Sequence, residues 1–70
     1  MNALDQRLLA AHARDDRTAL VSLYLEAADS ANDADAEGFY LTHAYVFALD
    51  TGSDLAPSLH ARLKAAGREE

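Results

Sequence analysis

Apolar residues recur along this chain every three or four positions, which is the period of an amphipathic α-helix. The pattern predicts helices over about residues 3–13, 16–31 and 35–50, and a fourth helix that ends at Gly67. Asp15 and Asp16 interrupt the pattern after the first segment. A second helix is expected to begin there, because carboxylates are stabilised at a helix N-terminus. No strong helix breaker separates the two segments, so one continuous helix is the alternative.

Three of the predicted helices carry an apolar stripe that marks their buried side. Its expected members are Leu4, Leu8 and Ala11 in the first helix, Leu20, Leu23, Tyr24, Ala27, Ala28 and Ala31 in the second, and Leu55, Leu59, Leu63 and Ala66 in the last. The spacing of i, i+3, i+4 and i+7 places each set on one face.

The third helix differs, because residues 39–50 are apolar or aromatic almost all round. One side is expected to hold Leu41, Tyr45, Ala48 and Leu49, and another Tyr40, Ala44 and Phe47. Such a helix has neighbours on two or more sides. We therefore expect it to be the central helix, covered on opposing sides, and to carry an exposed patch that needs a partner.

Short polar residues mark the ends of the third helix. Residues 30–35 are rich in Ser, Asn and Asp, whose side chains compete with helical backbone bonding and favour a turn. Asp33 or Asp35 should cap the third helix, and Gly52 should end it in the left-handed conformation.

The start of the fourth helix is predicted in the same way. Ser53 or Asp54 should cap it, and Pro57 is tolerated in its first turn. Residues 68–70 then remain as a tail.

The composition limits the fold class. The 70 residues form one domain at most, without cysteine and with few β-branched residues. Disulfides and thiolate metal sites are therefore excluded. We predict an all-α fold, a small antiparallel bundle of four short helices, or three if the first two merge. Because so small a core gives little net stability, self-association as a homodimer is expected.

The charge distribution restricts the partners. The net charge is −6, and no Lys or Arg lies between Arg17 and Arg62. This middle section should repel nucleic acid and anionic membranes, whereas a basic protein partner is electrostatically plausible. The chain has neither a signal-peptide pattern nor a run of about 18 apolar residues that would cross a bilayer. We expect a cytoplasmic protein.

A weak internal repeat is present. Residues 20, 24, 28 and 31 align with Leu55, Leu59, Leu63 and Ala66 at a constant offset of 35. Leu20-Val21-x-x-Tyr24 is similar to the Leu-Gly-x-x-Tyr of tetratricopeptide repeats, and Ala44-x-x-x-Ala48 resembles part of their second helix. The chain thus resembles a pair of stacked helical hairpins, although it lacks the Trp of the family and a proline in the turn at residues 50–54. The resemblance implies a concave surface that binds a peptide or protein.

The motif Asp33-x-Asp35-x-Glu37-Gly38 is similar to the opening of a calcium-binding loop. The twelfth position of such a loop needs a bidentate Glu, and here it is Ala44. Helix capping explains the same acids. A divalent-cation or small-ligand binder that uses the acidic loop 29–37 is the alternative function.

No pattern predicts an active site. His12, His43 and His60 fall on different predicted helices without zinc-ligand spacing, and His43 has no reactive partner in sequence. The aromatic residues of helices two and three are expected to form core, with a protein interface as the other use. We predict a non-enzymatic interaction or adaptor module, without cofactor or metal. The expected interface residues are Tyr24, Tyr40, His43 and Phe47.

Overall fold

The computed structural model describes residues 3–67, and these residues form four helices and no strand. The helices are α1 (Ala3–Ala13), α2 (Arg17–Ser30), α3 (Ala34–Thr51) and α4 (Ala56–Ala65). The predicted all-α class and the four-helix bundle are confirmed. The predicted tail at residues 68–70 lies outside the described residues.

The first two helices are separate. Asp15 has a φ of 54° and is, within residues 3–67, the one non-glycine residue with a positive φ. Aspartate tolerates this left-handed conformation better than most residues. Asp16 then caps α2, since its side chain accepts a hydrogen bond from the Ala19 N–H at 3.1 Å. The continuous-helix alternative is wrong because this turn reverses the chain.

The ends of α3 follow the sequence prediction. Asp33 has extended backbone geometry, and its Oδ1 accepts a hydrogen bond from the Ala36 N–H at 2.7 Å. At the other end Gly52 has a φ of 67°, and the N–H of Ser53 donates to the Ala48 carbonyl at 2.8 Å. This pairing satisfies carbonyl groups at the end of the helix.

The predicted cap of α4 is wrong. Leu55 occupies the N-cap position without a side-chain hydrogen bond, and α4 begins one residue later. The hydroxyl of Ser53 accepts a hydrogen bond from the Leu55 N–H at 3.1 Å, so Ser53 stabilises the turn that precedes the helix. Pro57 lies in the first turn of α4, as predicted.

The helices pack in chain order. The α2–α3 pair forms the largest interface, α1 packs on α2, and α4 packs on α3. The backbone extends 32 × 28 × 12 Å, so the four helices form essentially one layer. The main core consists of Val21, Ala28, Leu41, Ala44, Ala48, Leu59 and Leu63, and a smaller core at the α1–α2 contact consists of Ala11, Leu20 and Leu23.

Helix α3 is the central helix, but one of its sides is open. α2 and α4 cover two sides, and Leu41, Ala44 and Ala48 are buried there. Leu49 is 59% exposed, so its predicted place beside Leu41 and Ala48 is wrong. At about 100° per residue, Leu49 and Val46 lie on the side that faces neither neighbour. The prediction that other helices cover α3 is confirmed for the two sides that face α2 and α4. A third side of α3 is exposed to solvent.

The apolar stripe of α4 is also shorter than predicted. Leu59 and Leu63 are buried, whereas Leu55 and Ala66 are exposed. Leu55 immediately precedes α4 and Ala66 immediately follows it, so both residues lie at the ends of the helix, where they are exposed.

Ion pairs join the helices at the surface. Their cationic and anionic side chains are all at least one-third exposed, so solvent screens each pair and its contribution to stability is small. The hydrogen bond from Arg17 to Asp50, together with the nearby charge of Asp15, raises the pKa of Arg17. The pairs are Arg7 with Glu26, Arg17 with Asp50, and Arg62 with both Asp29 and Glu37.

Candidate functional site

The four residues predicted for an interface lie together on one face of the layer. Tyr24 projects from the middle of α2, and Tyr40, His43 and Phe47 project from α3 at spacings of three and four residues. The Tyr24 ring stacks on Phe47 with centroids 6.0 Å apart and planes 12° apart. Its centroid is 5.0 Å from His43 and 6.2 Å from Tyr40. The fold thus gathers these side chains around Tyr24.

Two further rings extend this group. His12 of α1 lies with its Nε2 2.8 Å from the Tyr24 hydroxyl oxygen, and its ring centroid is 6.1 Å from that of Phe47. Phe39 lies 4.3 Å from His43, centroid to centroid. We call the six residues Tyr24, Tyr40, His43, Phe47, His12 and Phe39 the aromatic cluster.

Sequence reasoning did not place His12 in this group, and it counted Phe39 among the core aromatic residues but not among the interface residues. His12 lies one helical turn after Leu8, a spacing that could have indicated the inner side of α1. Phe39 lies four residues before His43, and the expectation that it belongs to the core is wrong, since it is 57% exposed. Tyr45 lies apart from the cluster and contacts His60 of α4, with ring centroids 5.6 Å apart.

Hydrogen bonds fix the orientation of the polar rings. The Nδ1 of His43 is 2.9 Å from the Phe39 carbonyl oxygen. Because a carbonyl only accepts, this nitrogen carries a proton, and Nε2 is the acceptor in the neutral ring. Burial, with a smaller effect of Tyr40, raises the pKa of Tyr24, so its phenol stays protonated at neutral pH.

The geometry around His43 does not form a nucleophile–base pair with its neighbour in sequence. The Thr42 hydroxyl donates a hydrogen bond to the Gly38 carbonyl at 2.8 Å, within α3 itself. This hydrogen bond to the preceding turn occupies the Thr42 hydroxyl within its own helix. What the cluster offers is a set of partly exposed rings with a few polar atoms, which is the chemistry of a protein contact surface.

Several hollows adjoin the aromatic cluster. The first, which we call the α1–α3 cleft, is lined by Leu4, Asp5, Leu8, Ala27, Ser30, Ala31, Asn32, Asp33, Ala36 and Tyr40. The second is lined by Asp15, Arg17, Val46, Phe47, Leu49 and Asp50. Val46 and Leu49 are more than half exposed and extend the apolar surface beyond the rings.

The acidic residues of the predicted calcium loop have other structural roles in the fold. The connection between α2 and α3 spans only residues 31–33, so Asp35 and Glu37 lie within α3. Asp33 caps that helix, and Glu37 pairs with Arg62. Across residues 3–67, no three His, Cys, Asp or Glu side chains are grouped as a metal site requires. The geometry therefore favours the capping interpretation of these acids.

Comparison with known proteins found no matching family model, no matching curated protein and no matching solved structure. The resemblance to tetratricopeptide repeats therefore stays a prediction. Within residues 3–67, none of the helices has the length and the apolar character that crossing a bilayer requires.

Proposed function

We propose that this chain is a small, non-enzymatic protein-interaction module that docks its partner on the aromatic cluster. The observation that carries the proposal is the convergence of six rings from three helices on one face. Interface hot spots are enriched in aromatic residues that combine an apolar body with a polar tip. Tyr24, Tyr40 and His43 have this character, and Phe39 supplies an exposed apolar ring beside them.

The surroundings of the cluster support the same function. Leu9, Val46 and Leu49 are each more than half exposed. Single exposed apolar residues are ordinary, but Leu49 and Val46 share a hollow with Phe47, and Leu9 shares one with Tyr24. The rings and these aliphatic side chains together form an apolar surface larger than the cluster alone. Such surfaces mark interaction sites.

Self-association is a second candidate use of this surface, and the flat shape favours it. The layer measures 32 × 28 Å across its face. A standard interface buries about 800 Å² per partner, and a face of this size provides that area. A homodimer would cover the open side of α3 that a single chain leaves in water. The cytoplasmic location expected from the sequence stays a prediction.

The test compares two serine variants at exposed apolar positions. Phe39→Ser removes a ring of the cluster, and Leu55→Ser is the control, because Leu55 is exposed at the α3–α4 turn. Affinity capture from the native lysate, quantified by mass spectrometry, should recover the same proteins with wild type and Leu55→Ser and lose them with Phe39→Ser. Light scattering on the three proteins should show whether the mass falls from two chains to one. Equal capture and equal mass for all three would contradict the proposal.

A further inference from the structure

The open side of α3 carries a regular line of exposed residues. Phe39, Thr42, Val46 and Leu49 follow one another at spacings of three, four and three positions, and all four are exposed. This is the spacing of the a and d positions of a coiled coil, which places the four side chains in one narrow stripe. We call these four residues the α3 seam. Among the described residues α3 packs on α2 and α4 only, and the seam lies on the side that faces neither.

The α3 seam can be covered without burying a charge or an unpaired hydroxyl. Phe39, Val46 and Leu49 are each more than half exposed. The Thr42 hydroxyl already donates a hydrogen bond to the Gly38 carbonyl, so covering it leaves no donor unsatisfied. Residues 38–49 contain no Asp, Glu, Lys or Arg. Burial of the seam therefore removes apolar surface from water without the cost of desolvating a carboxylate or a guanidinium.

We propose that the α3 seam of one chain packs antiparallel on the α3 seam of a second copy. The spacing is symmetric about Ala44, so a two-fold axis at that residue places Phe39 opposite Leu49 of the second copy, and Thr42 opposite Val46. Each contact then occurs twice, as an isologous interface requires. This inference rests on the self-association described above as the second candidate use of the exposed surface, and it names the contact residues and the orientation.

The antiparallel orientation follows from the charges at the ends of α3. The first turn of this helix contains Asp35 and Glu37. A parallel pair would bring two acidic first turns together, and would also place like ends of the two helix dipoles side by side. An antiparallel pair separates the acidic turns by about the length of α3, about 27 Å for its 18 residues. This distance exceeds the Debye length of about 8 Å at physiological salt, so the repulsion is screened.

Three observations favour a second copy over a helix of another protein. In coiled coils the charged residues beside the seam select the partner, and residues 38–49 supply no acidic or basic residue for such a selection. Domains are usually built from two packed layers, and this chain forms essentially one, so a second copy supplies the missing layer. A specific interface needs about 500 Å² from each chain, a small part of the 4445 Å² that this chain exposes. The seam and the partly buried rings of Tyr45 and Phe47 beside it can provide that area.

The first experiment tests the orientation by disulfide cross-linking. The chain contains no cysteine, so a single introduced thiol reports on one position. Chains that carry Phe39→Cys are mixed with chains that carry Leu49→Cys and oxidised, and the products are identified by mass spectrometry. The mixed disulfide should predominate. Two copies of position 39 would lie about 15 Å apart along the helices, beyond the Cα separation of about 7 Å that a disulfide spans. Predominance of a disulfide between like positions, or a statistical mixture of the three products, would overturn the proposal.

The second experiment measures dimerisation with charge-matched variants. Val46→Glu adds a charge in the seam, and Leu55→Glu adds the same charge at an exposed apolar residue of the α3–α4 turn. Light scattering over a range of concentrations should give wild type and Leu55→Glu the same dimer Kd. Val46→Glu should raise the Kd about a hundredfold, about tenfold for each copy of the buried charge. Thr42→Glu is a second seam variant with the same expected rise, and circular dichroism should show that all variants keep their helix content.

Two results of this series would refute the α3 seam. One is an equal Kd for wild type and all the variants. The other is a wild-type chain that stays monomeric at every concentration.

Affinity capture separates this inference from the proposed function, because Val46→Glu leaves all six rings of the aromatic cluster in place. If Phe39→Ser loses the captured proteins while Val46→Glu keeps the wild-type mass, the interaction module stands and the seam is refuted. If the wild type is monomeric and Val46→Glu loses the captured proteins, another protein covers the seam, which also refutes the second copy. If Val46→Glu separates the dimer but Phe39→Ser leaves capture unchanged, the seam stands and docking on the aromatic cluster fails.

Discussion

Phe47 links the core of this protein to its candidate interface, and truncation of its ring tests both roles. The side chain is partly buried and packs against both core clusters. Mutation of a completely buried Phe to Ala typically lowers the free energy of unfolding by about 3–5 kcal/mol. Because Phe47 is only partly enclosed, we expect Phe47→Ala to lower the free energy of unfolding by about 2–3 kcal/mol. Of this, contact with the Tyr24 and His12 rings accounts for about 0.5–1.5 kcal/mol.

The expected loss converts to a measurable change in melting temperature. For a domain of this length, 1 kcal/mol shifts the midpoint by about 4–8 °C, so Phe47→Ala should melt about 10–20 °C below wild type. The assay is thermal unfolding followed by circular dichroism, supported by urea titration. Measurements at several protein concentrations are needed, since a dimer melts at a temperature that depends on concentration.

Phe39→Ala is the matched control for this prediction. It removes the same side chain from the same helix at a position that is 57% exposed. Its cost should stay within about 0.5 kcal/mol, as for most surface substitutions. If the two variants melt at the same temperature, Phe47 does not pack between α1, α2 and α3 as described, and the account of the aromatic cluster is refuted.

Three further predictions concern ionisable groups. The raised pKa of Tyr24 means that the folded chain holds this proton above pH 10, where the unfolded chain releases it, so stability should fall as pH rises beyond about 10. Urea titrations should show a smaller fall for Tyr24→Phe, and an equal fall would contradict the assignment. Asp33→Ala should cost about 1 kcal/mol in the same assay, and Asp33→Asn almost nothing, because Asn also caps helices. Arg62→Gln breaks two exposed ion pairs and should lower the free energy of unfolding by less than about 1 kcal/mol. The difference from wild type should shrink in high salt. A larger loss would mean that these pairs are more shielded from solvent than described.

The helices could be predicted from the sequence because local interactions set their ends. Asp16, Asp33 and Gly52 act through hydrogen bonds or backbone conformations within a few residues of their own positions. Periodicity also identified Leu20, Leu41 and Leu59 as buried residues. The predicted cap of α4 was wrong, because the Ser53 hydroxyl instead accepts a hydrogen bond from the Leu55 N–H in the turn before the helix.

The features of the structure that the sequence did not predict depend on which helices are neighbours. An apolar residue on α3 is buried only where α2 or α4 lies against it, and the pattern alone did not show that Leu49 faces neither. His12 joins the aromatic cluster through a contact with Tyr24, which is twelve residues away. The four predicted interface residues were found together because three of them share one face of a single helix, a relation that spacing does reveal.

The order of packing has a consequence for how the fold opens. α1 packs on α2 through the smaller core, whereas α4 supplies Leu59 and Leu63 to the main core, so α1 is the helix whose detachment leaves most of the core in place. Amide hydrogens of α2 and α3 should then exchange with solvent most slowly, and those of the end helices faster, as separate cooperative units. The departure of α1 alone would remove one wall of the α1–α3 cleft and separate His12 from Tyr24, so the affinity for the proposed partner would depend on the fraction of chains in which α1 is docked.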